Sequence, residues 1–292
     1  MPEAIGRLTR SLRFYMIKMS VPLVAERIAE ALPPRNGQAW SAQAVDAWWS
    51  TAPAAQLTQG DRALIVVARP WHTEVAWTTS DREPDRPDLK VESLSVPVLT
   101  GAILRRLLPE VDAHLAAQRQ SGATDGLLAW RESITAMTDL ITALALPGVR
   151  APSLHSDTSS TSVEVTLPSG VHARFGRRTD PLLSLHLTGS VRALELLLPV
   201  FLPAPTDASH SMLTDVRGRY ARRFAAHLAR FTTYGQRSDG AVDFTGGGYI
   251  RGTIAAPRDP KARVQDYSPA AVQFGGVGFD WMLANAVHLV AP

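Results

Sequence analysis

The strongest structural signal in the sequence is a pair of alternating segments on either side of a tight turn. Residues 162–167 (SVEVTL) and residues 171–177 (VHARFGR) flank the turn Pro168-Ser169-Gly170. Alternation of apolar and polar residues is typical of a strand with one buried face, and two such runs around a glycine-containing turn indicate a β-hairpin. Antiparallel sheet is therefore predicted for the C-terminal half of this 292-residue chain.

Strand signals and helix signals both occur elsewhere in the chain. Residues 62–69 (RALIVVAR) are predicted to form a buried strand, and residues 73–79 (TEVAWTT) its neighbour. Helical spacing predicts a short helix that starts at Ser41 and a long one over residues 211–232, and Pro109 is expected to kink or split a third. The predicted fold class is α+β, with antiparallel sheet segments and flanking helices.

Two segments of the chain resemble each other weakly. Residues 100–111 read TGAILRRLLPEV and residues 188–200 read TGSVRALELLLPV, and both come after several predicted strands. One interpretation is a duplicated unit of strands followed by a helix, which predicts two related sheets packed under helices. The other is chance similarity between two leucine-rich stretches, and the sequence leaves both open.

Composition and charge divide the chain into four parts. Residues 1–19 form a basic extension, residues 20–150 an N-terminal α+β half, residues 151–161 (APSLHSDTSST) a polar linker or long loop, and residues 162–292 a basic C-terminal α+β half. For the extension three interpretations remain open: sequence upstream of a start at Met19, a basic amphipathic helix, or a helix docked on the body.

The residue inventory excludes several classes of chemistry. The chain has no cysteine, which removes disulfides, thiolate metal sites and cysteine nucleophiles. There is no Gly-Lys pair for a P-loop, no Gly-x-Ser-x-Gly elbow and no His-Glu-x-x-His motif. No catalytic residue, metal site or cofactor is predicted. No apolar run is long enough for a transmembrane helix, and the lack of cysteine fits a reducing compartment, so we expect a cytoplasmic protein.

Basic residues are concentrated in one third of the chain. Residues 170–263 carry a net charge of +7, whereas the whole chain carries +3. Four arginines are spaced so that they share one face of the helix predicted over residues 211–232, and a glycine-rich segment (TGGGYIRG, residues 245–252) adds an aromatic ring and another arginine. The candidate nucleic-acid-binding residues are Arg177, Arg178, Arg219, Arg222, Arg223, Arg230, Tyr249 and Arg251.

The sequence supports three hypotheses about function. The first is a non-enzymatic protein that binds nucleic acid through these arginines, whose guanidinium groups suit phosphate oxygens. The second is a protein-assembly or adaptor subunit, in which the acidic N-terminal half and the basic C-terminal half bind protein partners or each other in a homo-oligomer. The third is an enzyme without a recognisable motif.

Overall fold

The chain contains two compact units, one that ends at Asp112 and one that begins at Ala113, which we call the first unit and the second unit. Each is built on its own antiparallel sheet. The computed structural model describes residues 21–120, 126–145, 153–156, 160–177, 182–202, 216–257, 259 and 263–290. The predicted extension over residues 1–19 lies outside these ranges.

The five strands of the first unit pair in chain order. Leu57 of β2 and Leu64 of β3 lie opposite each other and are fully buried, so this pair belongs to the core of the unit. The strands predicted over residues 62–69 and 73–79 are confirmed as β3 and β4. The elements of this unit are helix α1 (Leu23–Ala31), β1 (Ser41–Ala47), β2 (Ser50–Gln59), β3 (Arg62–Ala68), β4 (Thr73–Thr78), β5 (Leu89–Val91), helix α2 (Val96–Ala102) and a π-helical turn (Ile103–Leu107).

One local expectation in this region needs correction, and a second stays open. The segment that begins at Ser41 is strand β1 and not a helix, because it pairs along its length with β2 from Ser41 opposite Thr58 to Ala47 opposite Ser50. The helix type changes just before Pro109, since the π-helical turn runs without a gap into helix α3 (Leu108–Gln120), and the kink expected there stays a prediction. A proline donates no hydrogen bond and crowds the carbonyl four residues earlier, and a widened turn before it relieves that crowding.

The second unit is dominated by an eight-stranded antiparallel sheet in the order β10-β11-β12-β13-β9-β8-β7-β6. The hairpin predicted from the sequence is confirmed, because β7 and β8 pair from Thr161 opposite Arg177 to Thr166 opposite His172. The elements are helix α4 (Gly126–Leu144), β6 (Ser153–Ser156), β7 (Thr161–Thr166), β8 (His172–Arg177), β9 (Leu183–Ser190), helix α5 (Val191–Phe201), helix α6 (Arg219–Leu228), β10 (Tyr234–Gln236), β11 (Val242–Gly247), β12 (Ile250–Ile254), β13 (Pro269–Val277) and helix α7 (Phe279–Val290).

Two consecutive four-stranded meanders make up this large sheet. Strands β6 to β9 lead into helix α5, and strands β10 to β13 lead into helix α7. The meanders join where β13 pairs with β9 at the centre of the sheet. The duplication predicted from residues 100–111 and 188–200 is not confirmed and stays a prediction. Thr100-Gly101 lies in a helix, whereas the matching Thr188-Gly189 lies in a strand.

The α+β fold class with antiparallel sheets and flanking helices is confirmed. Residues 153–156, which the sequence places in a linker, form edge strand β6, and helix α4 packs on β6 and β7 and on α7. The predicted domain boundary at residues 151–161 stays a prediction, which limited proteolysis would test. No helix in the described part of the chain combines the length and apolarity that a membrane crossing requires.

Helices cover one face of the eight-stranded sheet. The ring of Phe201 in α5 stacks on Phe274 of β13 at 4.4 Å between centroids and lies 5.5 Å from Trp281 of α7. On the neighbouring strand β9, leucines at 183, 185 and 187 are buried, whereas Ser184 and His186 are exposed. Because side chains alternate along a strand, the sheet has one apolar face under the helices and one polar face.

Candidate nucleic-acid interface

Helix α6 carries the predicted arginines and is anchored by its apolar residues. Tyr220, Phe224 and Leu228 are buried, and the rings of Tyr220 and Phe224 make an edge contact at 5.1 Å between centroids. Burial raises the pKa of Tyr220 to about 12, although a hydrogen bond with the backbone of Ala271 opposes this shift. The helix is shorter than the one predicted over residues 211–232, of which residues 211–215 lie outside the described ranges.

Arg223 is held by two carboxylates. Its Nε and Nη2 atoms donate to the two carboxylate oxygens of Glu195 in α5 at 2.6 and 2.7 Å, and Nη2 also donates to Asp266 at 2.7 Å. These bonds, led by the one to Glu195, raise the pKa of Arg223 above its already high value. Such a two-pronged pair is strong and directional. Arg223 therefore fixes α6 against α5 and has no free donor fork for a ligand.

The other arginines of this region keep their charges exposed. Arg219, Arg222 and Arg230 are exposed and form no ion pair with any described residue. The Nε atom of Arg222 donates to the carbonyl of Val216 at 3.1 Å, and its two terminal nitrogens form no hydrogen bond with a described residue. The guanidinium of Arg230 lies 5.7 Å from the ring centre of Phe231.

Three residues outside the predicted set, Arg192, Arg217 and His227, also lie in this region. The side chains of Arg192 and Arg217 are exposed and likewise form no ion pair with a described residue. His227, on α6, is half-buried: burial lowers its pKa, and the charges of Arg230 and Arg192 lower it further while Glu195 opposes them. Both arginines therefore lie near this histidine. Only the fold reveals this, since Arg192 belongs to α5 and Arg230 comes after α6. We call Arg192, Arg217, Arg219, Arg222 and Arg230 the arginine surface.

Of the remaining predicted residues, the described ones, Arg177, Tyr249 and Arg251, are not part of the arginine surface. Arg178 lies outside the described residues, and the Nε and Nη1 atoms of Arg177 are buried. Arg251 projects from the polar face of the sheet, because its strand neighbours Ile250 and Gly252 are buried on the helix side, and it donates to the carbonyl of Gly248 at 2.9 Å. Tyr249, 43% exposed, lies in the turn between β11 and β12.

Tight packing accounts for glycines in the glycine-rich segment. A Cβ atom on Gly246 would lie 2.8 Å from the carbonyl oxygen of Phe201, and one on Gly252 would overlap the Phe244 ring. Thr245 accepts or donates a 2.8 Å hydrogen bond with Thr232. Close approach of strand, ring and helix end thus requires glycine here, whether or not a ligand binds.

Neither a metal site nor a known relative adds information about this surface. Within the ranges that the structure describes, no three histidine, aspartate or glutamate side chains come together in a way that could hold a metal ion. Comparisons with protein-family models, curated proteins and solved structures find no match to this chain. The function of the arginine surface must therefore be inferred from its charge, exposure and contacts.

Proposed function

We propose that the second unit binds nucleic acid through the arginine surface. The observation that carries the proposal is a difference between arginines. Arg223 is ion-paired with Glu195 and Asp266, whereas the five exposed arginines of the arginine surface form no ion pair with a described carboxylate. An exposed arginine without an acidic neighbour adds positive potential and an available donor fork. Several such groups supported by one rigid helix pair suit a phosphate backbone.

The proposed mode is backbone recognition with little reading of bases. Phosphate contacts position a nucleic acid and supply affinity, whereas sequence is read through base edges. The arginine surface offers guanidinium groups, and the ring of Phe231, 5.7 Å from the guanidinium of Arg230, is buried. Binding should therefore depend steeply on salt and weakly on sequence. As part of this proposal we place the protein in the cytoplasm, because a chain without cysteine needs no disulfide and so fits a reducing compartment.

Fluorescence anisotropy with labelled single-stranded DNA, duplex DNA and RNA over a salt series tests the proposal. Each phosphate contact contributes about 0.9 to the slope of log affinity against log salt on duplex DNA. The triple variant Arg219→Gln, Arg222→Gln, Arg230→Gln should flatten that slope by up to about 2.7 and weaken binding to all sequences alike. A wild-type protein that binds no nucleic acid at low salt would refute the proposal.

A matched control separates a specific surface from general loss of charge. Arg237 is exposed and belongs to the same unit, but its guanidinium is paired with Asp239 at 3.2 Å. The Arg237→Gln variant should keep the affinity and the salt slope of the wild type. Equal losses in the control and in single variants of the arginine surface would show that only net charge matters.

A second candidate function, protein assembly, is favoured by two exposed tryptophans of the first unit. Trp48 in the β1–β2 turn is 74% exposed, and Trp71 in the β3–β4 turn is 83% exposed. Both turns lie at the same end of the antiparallel sheet, and behind them Trp49 donates to Glu74 at 3.1 Å. Exposed tryptophan on a rigid support is typical of energetically dominant interface residues.

Light scattering and affinity capture test this second candidate. If the tryptophans mediate self-association, the Trp48→Ser, Trp71→Ser variant should have a lower mass in solution than the wild type. If they bind another protein, a partner captured by the wild type should be lost. An unchanged mass together with unchanged capture would remove the support that these residues give.

A further inference from the structure

The polar face of the eight-stranded sheet carries a row of three long polar side chains. The pairing register places Arg174 of β8, His186 of β9 and Gln273 of β13 side by side across three strands. The terminal nitrogens of Arg174, the ring nitrogens of His186 and the amide of Gln273 form no hydrogen bond with any described residue. This face is opposite the one that α5 and α6 cover, because Phe274, next to Gln273, is buried against Phe201.

A second row beside the first consists of small residues, which leave a depression in this face of the sheet. Ser162, Gly176 and Ser184 lie opposite one another on β7, β8 and β9. A Cβ atom on Gly176 would approach the Ser184 hydroxyl oxygen to 2.8 Å, and that hydroxyl donates to the carbonyl of Gly176 at 3.2 Å. The two rows together bound a concavity of about 320 Å³.

The described lining of this concavity is rich in hydrogen-bond donors. Its described residues include Arg174, Arg177 and His186 but no aspartate or glutamate. Among the described residues, the acid next to this lining is Glu164, which lies on the far side of Arg174, 3.4 Å from its Nε atom and 3.9 Å from the Nε2 atom of His172. That contact orients Arg174 through Nε and leaves its terminal nitrogens available.

We propose that this concavity is a binding site for a small phosphate monoester. Its volume falls at the lower end of the range for small-molecule pockets, about 300–1,000 Å³. In the proposed complex the terminal nitrogens of Arg174 form a fork on two phosphate oxygens, and His186 and Gln273 each donate to the phosphate. The hydroxyls of Ser162 and Ser184 take the polar remainder of the ligand. The proposal does not rest on nucleic-acid binding, because the arginine surface lies on the opposite face.

Isothermal titration with glycerol 3-phosphate, inorganic phosphate and uncharged glycerol tests the site. The wild type should bind both phosphates with millimolar or tighter affinity and should not bind glycerol. Arg174→Gln should weaken phosphate binding by about tenfold or more, and Arg174→Lys, which keeps the charge but loses the fork, should restore part of it. Ser184→Leu should abolish binding by filling the floor.

The controls make each outcome decisive. Arg237→Gln removes an exposed arginine at the opposite edge of the same sheet and should bind phosphate as the wild type does. No phosphate binding by the wild type, or equal binding by Arg174→Gln, Ser184→Leu and the wild type, would overturn the proposal. So would a result in which only an oligonucleotide, and neither small phosphate, depends on Arg174. Circular dichroism confirms that each variant is folded.

Discussion

Replacing Asp112 by asparagine should destabilise the first unit more than any surface charge change. The Nη1 atom of Arg35 donates to the two carboxylate oxygens of Asp112 at 3.0 and 2.9 Å, and Arg62 lies 3.6 Å from one of them. The side chains of Arg35, Arg62 and Asp112 are only 14%, 6% and 9% exposed. Asparagine keeps the shape but removes the negative charge of Asp112, which lies between two buried positive charges.

Burial sets the magnitude of this effect. Removing one partner of a buried ion pair typically costs about 3–5 kcal/mol, because the remaining charge is left without compensation in a poorly solvated place. Arg62 has other contacts, since it donates to Gln59 and lies 5.1 Å from the Trp40 ring centre. These contacts partly compensate the charge of Arg62 and so favour the lower end of that range. We therefore expect Asp112→Asn to lower the free energy of unfolding by about 3 kcal/mol.

An exposed pair of similar geometry is the matched control. Arg27 and Glu30 are 3.0 Å apart in helix α1, but their side chains are 62% and 65% exposed. Glu30→Gln should cost less than about 1 kcal/mol, as surface pairs do. Urea denaturation followed by circular dichroism and tryptophan fluorescence measures both free energies of unfolding. If Asp112→Asn costs no more than Glu30→Gln, burial does not control the strength of this contact and the reasoning is wrong.

Three further predictions concern the second unit. Burial holds the pKa of His227 below 6.5. Its neutral form therefore contributes stability that is present above pH 6.5 and is lost as the pH falls through the folded-state pKa. His227→Gln should flatten this pH dependence of stability in denaturation measured from pH 7 downwards. Gly252→Ala should lose about 1–3 kcal/mol through the clash with the Phe244 ring, whereas Gly235→Ala, with open space around it, should lose under about 1 kcal/mol. Glu195→Gln should lose about 1–3 kcal/mol by breaking the pair with Arg223, a larger loss than Glu164→Gln causes at the more exposed Arg174.

Elements set by local pattern were predictable from the sequence. The strand over residues 62–69 and the hairpin over residues 162–177 have alternating or continuous apolar runs next to turn residues, and both are present. The Ser41 segment shows the limit of such patterns. Val45 and Trp48-Trp49 fit helical spacing, yet pairing with β2 turns the segment into a strand and puts the tryptophans at a hairpin end. Long-range strand pairing overrides local preference.

The candidate site was predictable only in part. Charge density indicated residues 170–263, where the arginine surface lies, and the exposure of Arg219, Arg222 and Arg230 is that of a basic helix face. The sequence could not show that Arg223 is paired, since Glu195 lies 28 positions earlier in an apolar helix. The row of Arg174, His186 and Gln273 was equally hidden, because its members come from strands that meet only through sheet topology.

That topology makes the two proposed sites separable. Helices α5 and α6 cover one face of the sheet and hold the arginine surface, while Arg174 and Arg251 project from the other face. A ligand that contacts Arg222 or Arg230 therefore cannot reach Arg174 without passing around the sheet edge. Substitutions at Arg222 and Arg230 should leave binding of small phosphates intact, and Arg174→Gln should leave the nucleic-acid salt slope intact. Loss of both properties in either variant would mean that the faces are not independent, which the opposite placement of these side chains does not allow.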